Sequence, residues 1–371
     1  MASMMLTPAR LLVISFPVLA SLFAVACSSR SFSQPPGQNG NSSQPTPQSE
    51  SGGESRKLYP IWKGGKTGFI DNTGKIIIPP QFEHRAFWTG GGIFSDGMAL
   101  IATESGGATG FPFKYGFIDT TGKIVVEPQY FEAQDFSEGL AAVKVGERYG
   151  FIDKTGRVAL TPRWLWAGNF AEGLAGVCDD DGCGYIDKTG QKVITLQSVT
   201  SPGEFSEGLA SVLTSKGTYG FIDKTGRLVI DGGFTSRTNF SEGLASVSVE
   251  GKTKFIDKTG RVVIEPQNMN VSPFSDGMSL VVMNGKVGYM DKTGRVVVEP
   301  QYELGHNFSE GLAAVKTGRR WGYIDKTGRV VIEPQFHEAY EFSEGIAKVK
   351  PSADKIGYID KAGKYVWQPT G

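Results

Sequence analysis

One recurring spacing limits what this chain can fold into more than any other feature. The motif I-D-x-x-G, with Met for Ile once, occurs nine times, and its aspartates are 48, 34, 34, 36, 34, 34, 34 and 35 residues apart. Two further motifs, F-[S/A]-[E/D]-G and E-P-Q, recur between them. Chance does not interleave three motifs at one period, so the sequence predicts a tandem array of nine units of about 34 residues.

Each unit is predicted to contain three short strands, as residues 309–335 illustrate. Strand a is Gly311–Lys316, strand b is Trp321–Asp325 and strand c is Arg329–Glu333. Pro334 has no N–H for a strand ladder and is expected to end strand c. Strand c is rich in β-branched residues, and two tight turns and one longer connection complete a meander. The fold class is therefore all-β.

The recurring turn residues have structural explanations. D-K-T-G between strands b and c suits a three-residue hairpin, in which Gly takes the left-handed conformation and Asp accepts a backbone hydrogen bond. The S-E-G segment before strand a is expected to turn in a similar way. We expect the preceding Phe to fill the space between neighbouring units. The strand b aromatics are expected to stack as a ladder through the array.

The N-terminal part of the chain has the features of an export signal. Residues 1–26 read as a signal peptide, because Arg10 precedes an apolar stretch too short for a confident membrane span. The stretch ends in small residues before Cys27 and resembles a bacterial lipobox, although Ala24 stands where Leu is usual. This resemblance implies lipidation of Cys27 as the first mature residue. Residues 28–57 are polar and predicted to be a disordered tether, and residues 58–371 hold the nine repeats.

Two arrangements can bury such meanders: an open β-solenoid or superhelix, and a closed β-propeller. Both terminal units have their own strands, so no strand exchange closes a ring. Nine units are many for a propeller, and 34 residues are few for a four-stranded blade. The sequence therefore favours the open array, with the β-propeller as the alternative.

The units resemble the bacterial WG repeat, named for a Trp-Gly pair that is literal here at Trp321-Gly322. Tyr replaces Trp at Tyr115, Tyr149 and Tyr219, and the pair is lost at Lys254-Phe255. The resemblance covers residues 58–371 and implies a binding or scaffold role with no single activity. The strand b hairpin also resembles, more distantly, choline-binding cell-wall repeats.

Composition and motifs argue against several function classes. Lys and Arg number 38, as do Asp and Glu, so no net charge favours nucleic acid. The three histidines, His84, His306 and His337, lack metal-ligand spacing, so we expect no metal and no cofactor. Nine copies of one aspartate at a turn indicate a fold requirement rather than catalysis. We therefore predict that the protein is not an enzyme.

Three departures from the period are the candidate functional features. The first is a 14-residue expansion between Asp71 and Asp119, in two added segments, and binding residues are often on such loops. The second is a cysteine pair around an acidic turn, where export favours a disulfide and calcium is a minor alternative. The third is a pair of tryptophans, either exposed for binding or part of the core. The candidate residues are Trp88, Phe111 and Phe113; Cys178 and Cys183; and Trp164 and Trp166.

These observations predict a non-catalytic binding or scaffold protein, exported and held by a lipid anchor in the bacterial envelope, at the outer membrane or its periplasmic face. Its extended surface suits a protein or peptide partner. The alternative is a cell-wall or polysaccharide-binding module. A hydrolase with its site in the inserted loops is the third possibility.

Overall fold

A computed structural model of the chain describes residues 57–83, 93–104, 113–196 and 202–370. Trp88, Phe111 and Cys27 lie outside the described residues. The strands form nine separate antiparallel sheets, one per unit. Six sheets have four strands and three have three in the described part of the chain. The predicted all-β repeat architecture is confirmed.

The strands of the first five units are β1 (Tyr59–Lys63), β2 (Lys66–Ile70) and β3 (Ile76–Glu83); β4 (Phe94–Ser95), β5 (Met98–Glu104), β6 (Phe113–Asp119) and β7 (Ile124–Tyr130); β8 (Leu140–Val145), β9 (Arg148–Asp153) and β10 (Val158–Trp164); β11 (Trp166–Ala171), β12 (Leu174–Asp179), β13 (Gly182–Ile186) and β14 (Lys192–Thr195); β15 (Pro202–Ser206), β16 (Leu209–Leu213), β17 (Tyr219–Asp223) and β18 (Leu228–Phe234). Those of the last four are β19 (Leu244–Val249), β20 (Lys252–Asp257) and β21 (Val262–Ile264); β22 (Asn270–Val271), β23 (Met278–Met283), β24 (Lys286–Asp291) and β25 (Val296–Tyr302); β26 (Leu304–Gly305), β27 (Leu312–Thr317), β28 (Arg320–Asp325) and β29 (Val330–Phe336); β30 (Glu338–Ser343), β31 (Ile346–Ser352), β32 (Lys355–Asp360) and β33 (Tyr365–Thr370).

The three-stranded meander was an incomplete prediction, because six sheets begin with a fourth strand. This additional strand lies in the predicted connection. It ends at the F-S-E-G turn in β4, β11, β15 and β30, and a few residues before that turn in β22 and β26. Residues from the stretch before the F-S-E-G turn of four consecutive units line one cleft, so this stretch lies on the side where the units converge. We call this strand the inner strand.

Strand c also continues past its proline, contrary to prediction. Strand β29 runs to Phe336, and its register against β28 shifts between Ile332 and Phe336. A proline is tolerated there because strand c is an edge strand with a bulge. The glycine after the Trp makes room for the bulge: a β-carbon on Gly322 would lie 2.5 Å from the Ile332 carbonyl oxygen. In unit 6, Lys254 replaces this glycine, and strand c (β21) is shorter, covering only Val262–Ile264.

Aromatic pairs join consecutive units. The strand b aromatic of one unit packs against the F-S-E-G Phe of the next, with ring centroids 4.7–5.1 Å apart at all eight joints from unit 1 to unit 9. The prediction for the Phe is confirmed. The predicted ladder of strand b aromatics is wrong, because the Phe lies between one unit and the next.

The last unit packs against the first, and this closes the ring. Tyr358 of unit 9 packs edge-on against Tyr59 of unit 1, with centroids 5.7 Å apart, and its hydroxyl donates to the Pro60 carbonyl. Asn72 donates to the Glu344 carbonyl, as Lys188 donates to that of Glu138 at an internal joint. The structure is therefore a nine-bladed β-propeller. The open array, which the sequence favoured, is wrong and its alternative is right, because side chains close this ring without an exchanged strand.

Candidate functional site

The nine turn aspartates have a structural role. In unit 8, Asp325 Oδ1 accepts hydrogen bonds from the Thr327 hydroxyl and from the backbone N–H groups of Thr327 and Arg329, at 2.6–3.1 Å. The Thr327 hydroxyl contributes most to lowering the pKa of Asp325 to about 2. The same contacts recur at the other D-K-T-G turns, so these carboxylates stabilise the hairpin.

The acidic residues of the F-S-E-G turns join neighbouring units. Glu172 accepts from the backbone N–H of Gly208 and pairs with Lys224, both in the next unit. Seven such acid–lysine pairs run around the ring. The turn itself differs from D-K-T-G: both its central residues have positive φ, as Glu138 (53°) and Gly139 (93°) show. These acids therefore bind other parts of the same chain.

The two tryptophans of the third departure have different environments. Trp164 ends β10 opposite Tyr149, is only 1% exposed and packs on Phe151. It occupies the position that Phe336 holds in unit 8. Trp164 is therefore a core residue, which corrects its assignment as a candidate binding residue. Trp166 begins the inner strand β11 and is 37% exposed.

Trp166 lies in a cleft on the inner side of units 3 to 6. The cleft is lined by Gln134, Trp166, Gly168, Gly176, Pro202, Gly203, Glu204, Arg237 and Asn239. A β-carbon on Gly168 would lie 3.0 Å from the indole, and one on Gly176 would lie 2.9 Å from the Pro202 ring. The indole thus lies close against glycine backbone, with an apolar ring on one side and amide, carboxylate and guanidinium groups around it.

Cys178 and Cys183 lie directly beside this cleft. They are cross-strand partners in β12 and β13, and their sulfur atoms are bonded at 2.01 Å. Trp166 is the partner of Cys178 in the neighbouring strand β11, so the three residues form one row across the sheet. The disulfide therefore links β12, which pairs with the strand that carries the indole, to β13.

Two of the three aspartates in the acidic turn between the cysteines pair with cations from the same chain. Lys192 pairs with Asp179 at 2.8 Å, and Arg148 pairs with Asp180 at 2.9 Å. In the described ranges, no group of three His, Cys, Asp or Glu side chains is arranged to hold a metal ion. The same ranges contain no helix with the length and apolar character needed to cross a membrane.

Phe113 is the one described candidate from the 14-residue expansion. It begins β6, is half-buried and pairs with Glu104. It does not line the Trp166 cleft.

Sequence reasoning missed the other cleft residues, namely Gln134, Glu204, Arg237 and Asn239. Their signal was the variable stretch just before each F-S-E-G motif, which differs in every unit while the flanking motifs repeat.

Similarity to solved structures is a similarity of fold alone. No curated protein matches the sequence. The crystal structure of a eukaryotic initiation factor is similar in fold, with a TM-score of 0.58, 11% identity, and coverage of 85% of this chain and 96% of that one. BamB from Moraxella catarrhalis gives a TM-score of 0.36 at 11% identity over 62% of this chain and 79% of its own. Hsv2 of Kluyveromyces lactis gives 0.39 at 10% identity over 64% and 97%.

The family comparison is more specific than the structural one. The model of the WG containing repeat matches more than half of the chain, at residues 68–102, 115–149, 149–183, 219–252, 255–286, 288–320 and 321–350. The matched segments include the glycine at the bulge, the D-K-T-G turn and the F-S-E-G joint described above. The chain belongs to the family of proteins built from the WG containing repeat.

Proposed function

We propose that this chain is a non-catalytic binding scaffold, held at the bacterial envelope, that takes an extended peptide or protein segment on the inner side of units 3 to 6. The observation that carries the proposal is Trp166. It is a large aromatic residue left 37% exposed in a cleft to which four consecutive units contribute. Large aromatic residues of this kind dominate many protein-binding sites.

The chemistry of the cleft suits a peptide. The indole and Pro202 offer an apolar surface, and Gln134 and Asn239 offer amide groups that can both donate to and accept from a peptide backbone. Glu204 and Arg237 add one charge of each sign. This combination of an apolar anchor with a few orienting polar groups is typical of binding sites.

A non-catalytic role is supported by how the carboxylates are used. The recurring acids bind backbone N–H groups in turns or lysines in neighbouring units. Their positions are therefore set by the fold. Turnover of a glycan, ester or peptide substrate by the purified protein would overturn this part of the proposal.

The test compares Trp166→Ala with Leu304→Ala on a peptide-display library. Leu304 is the matched control, because it holds the same place in the inner strand of unit 8 and is 50% exposed. We expect the wild type and L304A to retain a common set of peptides, and W166A to lose them at least tenfold. Equal retention by W166A would show that the cleft is not the binding site.

A glycan is the second candidate ligand, because an exposed indole edged by amides and a carboxylate also suits stacking against a sugar ring. A glycan array and peptidoglycan sedimentation distinguish the two. Retention on glycans that W166A abolishes, without peptide binding, would support the cell-wall or polysaccharide-binding module instead.

The anchoring is also part of the proposal, and Cys27 carries it. Metabolic labelling with a radioactive fatty acid should mark the wild type and not Cys27→Ala, and fractionation should move C27A from the membrane to the soluble exported fraction. Export would also expose Cys178 and Cys183 to an oxidising compartment that favours their disulfide. Thiol labelling of the exported protein, with and without reductant, tests that point.

A further inference from the structure

One position in strand a changes its chemistry in the last unit. This position lies directly opposite the strand b aromatic, on the face that packs toward the next unit. In units 1 to 8 it holds residues without charge: Pro60, Leu100, Ala142, Gly176, Ser211, Ser246, Leu280 and Ala314. In unit 9 it holds Lys348, opposite Tyr358.

The side chain of Lys348 is half-buried, and its ammonium lies 4.1 Å from the centroid of the Tyr340 ring in the inner strand of the same unit. Burial is the main cause that lowers the pKa of Lys348, the nearby charge of Lys350 adds to it, and the charge of Glu338 acts against both. The neighbouring carboxylate is already engaged. Glu338 accepts from the Tyr340 hydroxyl at 2.6 Å and pairs with Lys350 at 2.8 Å.

Lys348 is therefore a partly desolvated cation whose contact in the described ranges is a ring face, since no carboxylate there forms an ion pair with it. The ring offsets part of the cost of burying the charge. A carboxylate would offset more, because charge-assisted hydrogen bonds strengthen where water is excluded. The patch of Glu338, Tyr340, Lys348 and Lys350 has two positive charges and one negative charge, so its net charge attracts an anion.

We propose that this patch is a second ligand site, separate from the Trp166 cleft, that binds a carboxylate group. The ligand's oxygens accept from the Lys348 ammonium beside the Tyr340 ring. Such a carboxylate can come from an acidic side chain of a bound peptide or from a free dicarboxylate.

The experiment uses the mature full-length chain and two probes, a fluorescently labelled penta-glutamate peptide and succinate. Fluorescence anisotropy measures the peptide directly, and succinate is tested as its competitor. We expect Lys348→Met to weaken peptide binding about tenfold or more, as the loss of a charge-assisted hydrogen bond would. Competition by succinate at concentrations similar to those of the peptide would identify a free dicarboxylate as sufficient, and a far weaker effect would identify the peptide as the source.

Lys316→Met is the control for charge, because it removes a lysine from strand a of unit 8 at the position that Lys350 holds in unit 9. K316M should bind like the wild type. Equal losses in K316M and K348M would mean non-specific charge attraction, and an unchanged K348M would equally overturn the site. K348M should also melt no lower than the wild type, because it removes a partly buried charge that forms no ion pair with the described residues. A stability loss in K348M together with retained binding would assign Lys348 a structural role and overturn the proposal.

Discussion

At the scale of single residues, the repeated carboxylates are the main basis of the structure's pH dependence. The pKa values of Asp119, Asp153, Asp187, Asp223, Asp257, Asp291 and Asp325 are all lowered, and each carboxylate accepts hydrogen bonds from its own turn. A carboxyl whose pKa is lower in the folded state stabilises the fold above its unfolded pKa of about 3.9, and this stabilisation is lost as the pH falls toward the folded value.

We therefore expect the melting temperature to be nearly constant from pH 7 to pH 5 and to fall steeply between about pH 4 and pH 2. Asp325→Asn should melt below the wild type at pH 7, and this gap should close near pH 2, where the wild-type carboxyl is half protonated. Calorimetric melts at each pH measure both effects. Asp181→Asn, at an exposed turn tip, is the control and should leave the profile unchanged. A gap for D325N that stays constant down to pH 2 would contradict the assignment.

The residue scale also shows where sequence reasoning reached its limit. The turn chemistry of Asp325 could be predicted because it depends on neighbours within four residues. The roles of Trp164 and Trp166 could not be separated, although they are two residues apart. Trp164 ends strand c and Trp166 begins the next unit's inner strand. Which of them is buried depends on a strand boundary that no local motif marks.

At the scale of elements, the first unit differs from the others in how it fills its joint. In units with an inner strand, the F-S-E-G Phe pairs with a small residue of strand a, as Phe342 does with Ala347. The described part of unit 1 has no inner strand, and Tyr59 holds the position of Ala347. Its ring packs against Tyr358, where Phe would lie at other joints. Burial is the main cause that raises the pKa of Tyr59 to about 12, and its hydroxyl donates to the Ser343 carbonyl.

We expect Tyr59→Ala to destabilise the fold by about 3 kcal/mol or more, the usual cost of removing a buried aromatic ring. Phe136→Ala removes the corresponding ring at the joint between units 2 and 3 and should cost a similar amount. Urea unfolding followed by circular dichroism compares the two variants. A cost for Y59A well below that for F136A would mean that the joint between units 9 and 1 contributes little to stability.

The inner strands could not be predicted from the sequence, and the reason is physical. Strand β11 reads WAGNFA and β30 reads EAYEFS, and neither shows the strict alternation of a half-buried strand. A register shift interrupts the pairing of both with the following strand. Their burial comes from the units on either side. The strands with regular patterns were predicted, and those whose burial depends on neighbouring units were not.

At the scale of the whole molecule, a ring and an open array predict the same contacts between neighbouring units for seven of the nine units. They differ in what the first and last units contact. Unit 1 carries two departures that lie at the contact with unit 9: Tyr59 replaces a small residue and Asn72 replaces the lysine of D-K-T-G. Thr120 also replaces that lysine in unit 2, which follows the unit without a described F-S-E-G turn. Closure explains Tyr59, whose ring fills the joint with unit 9, but only once the contacts between the two ends are known.

Closure can be tested by cross-linking, because Asn72 and Glu344 touch only if unit 9 meets unit 1. Asn72 Nδ2 lies 3.2 Å from the Glu344 carbonyl oxygen. In an open stack, eight steps of about 10 Å would place the two residues roughly 80 Å apart. We expect a short bismaleimide to join Asn72→Cys and Glu344→Cys within one chain at high yield, in a Cys27→Ser background. Cys178 and Cys183 do not compete as long as they are bonded to each other.

The matched control moves the second cysteine to Glu207→Cys, in the same turn of unit 5 on the far side of the ring. That pair should give no intramolecular product at low protein concentration, where mass spectrometry separates cross-links within and between chains. Equal yields from the two pairs would indicate a flexible or open array. A high yield from the 72–344 pair alone requires that the two ends of the repeat array meet.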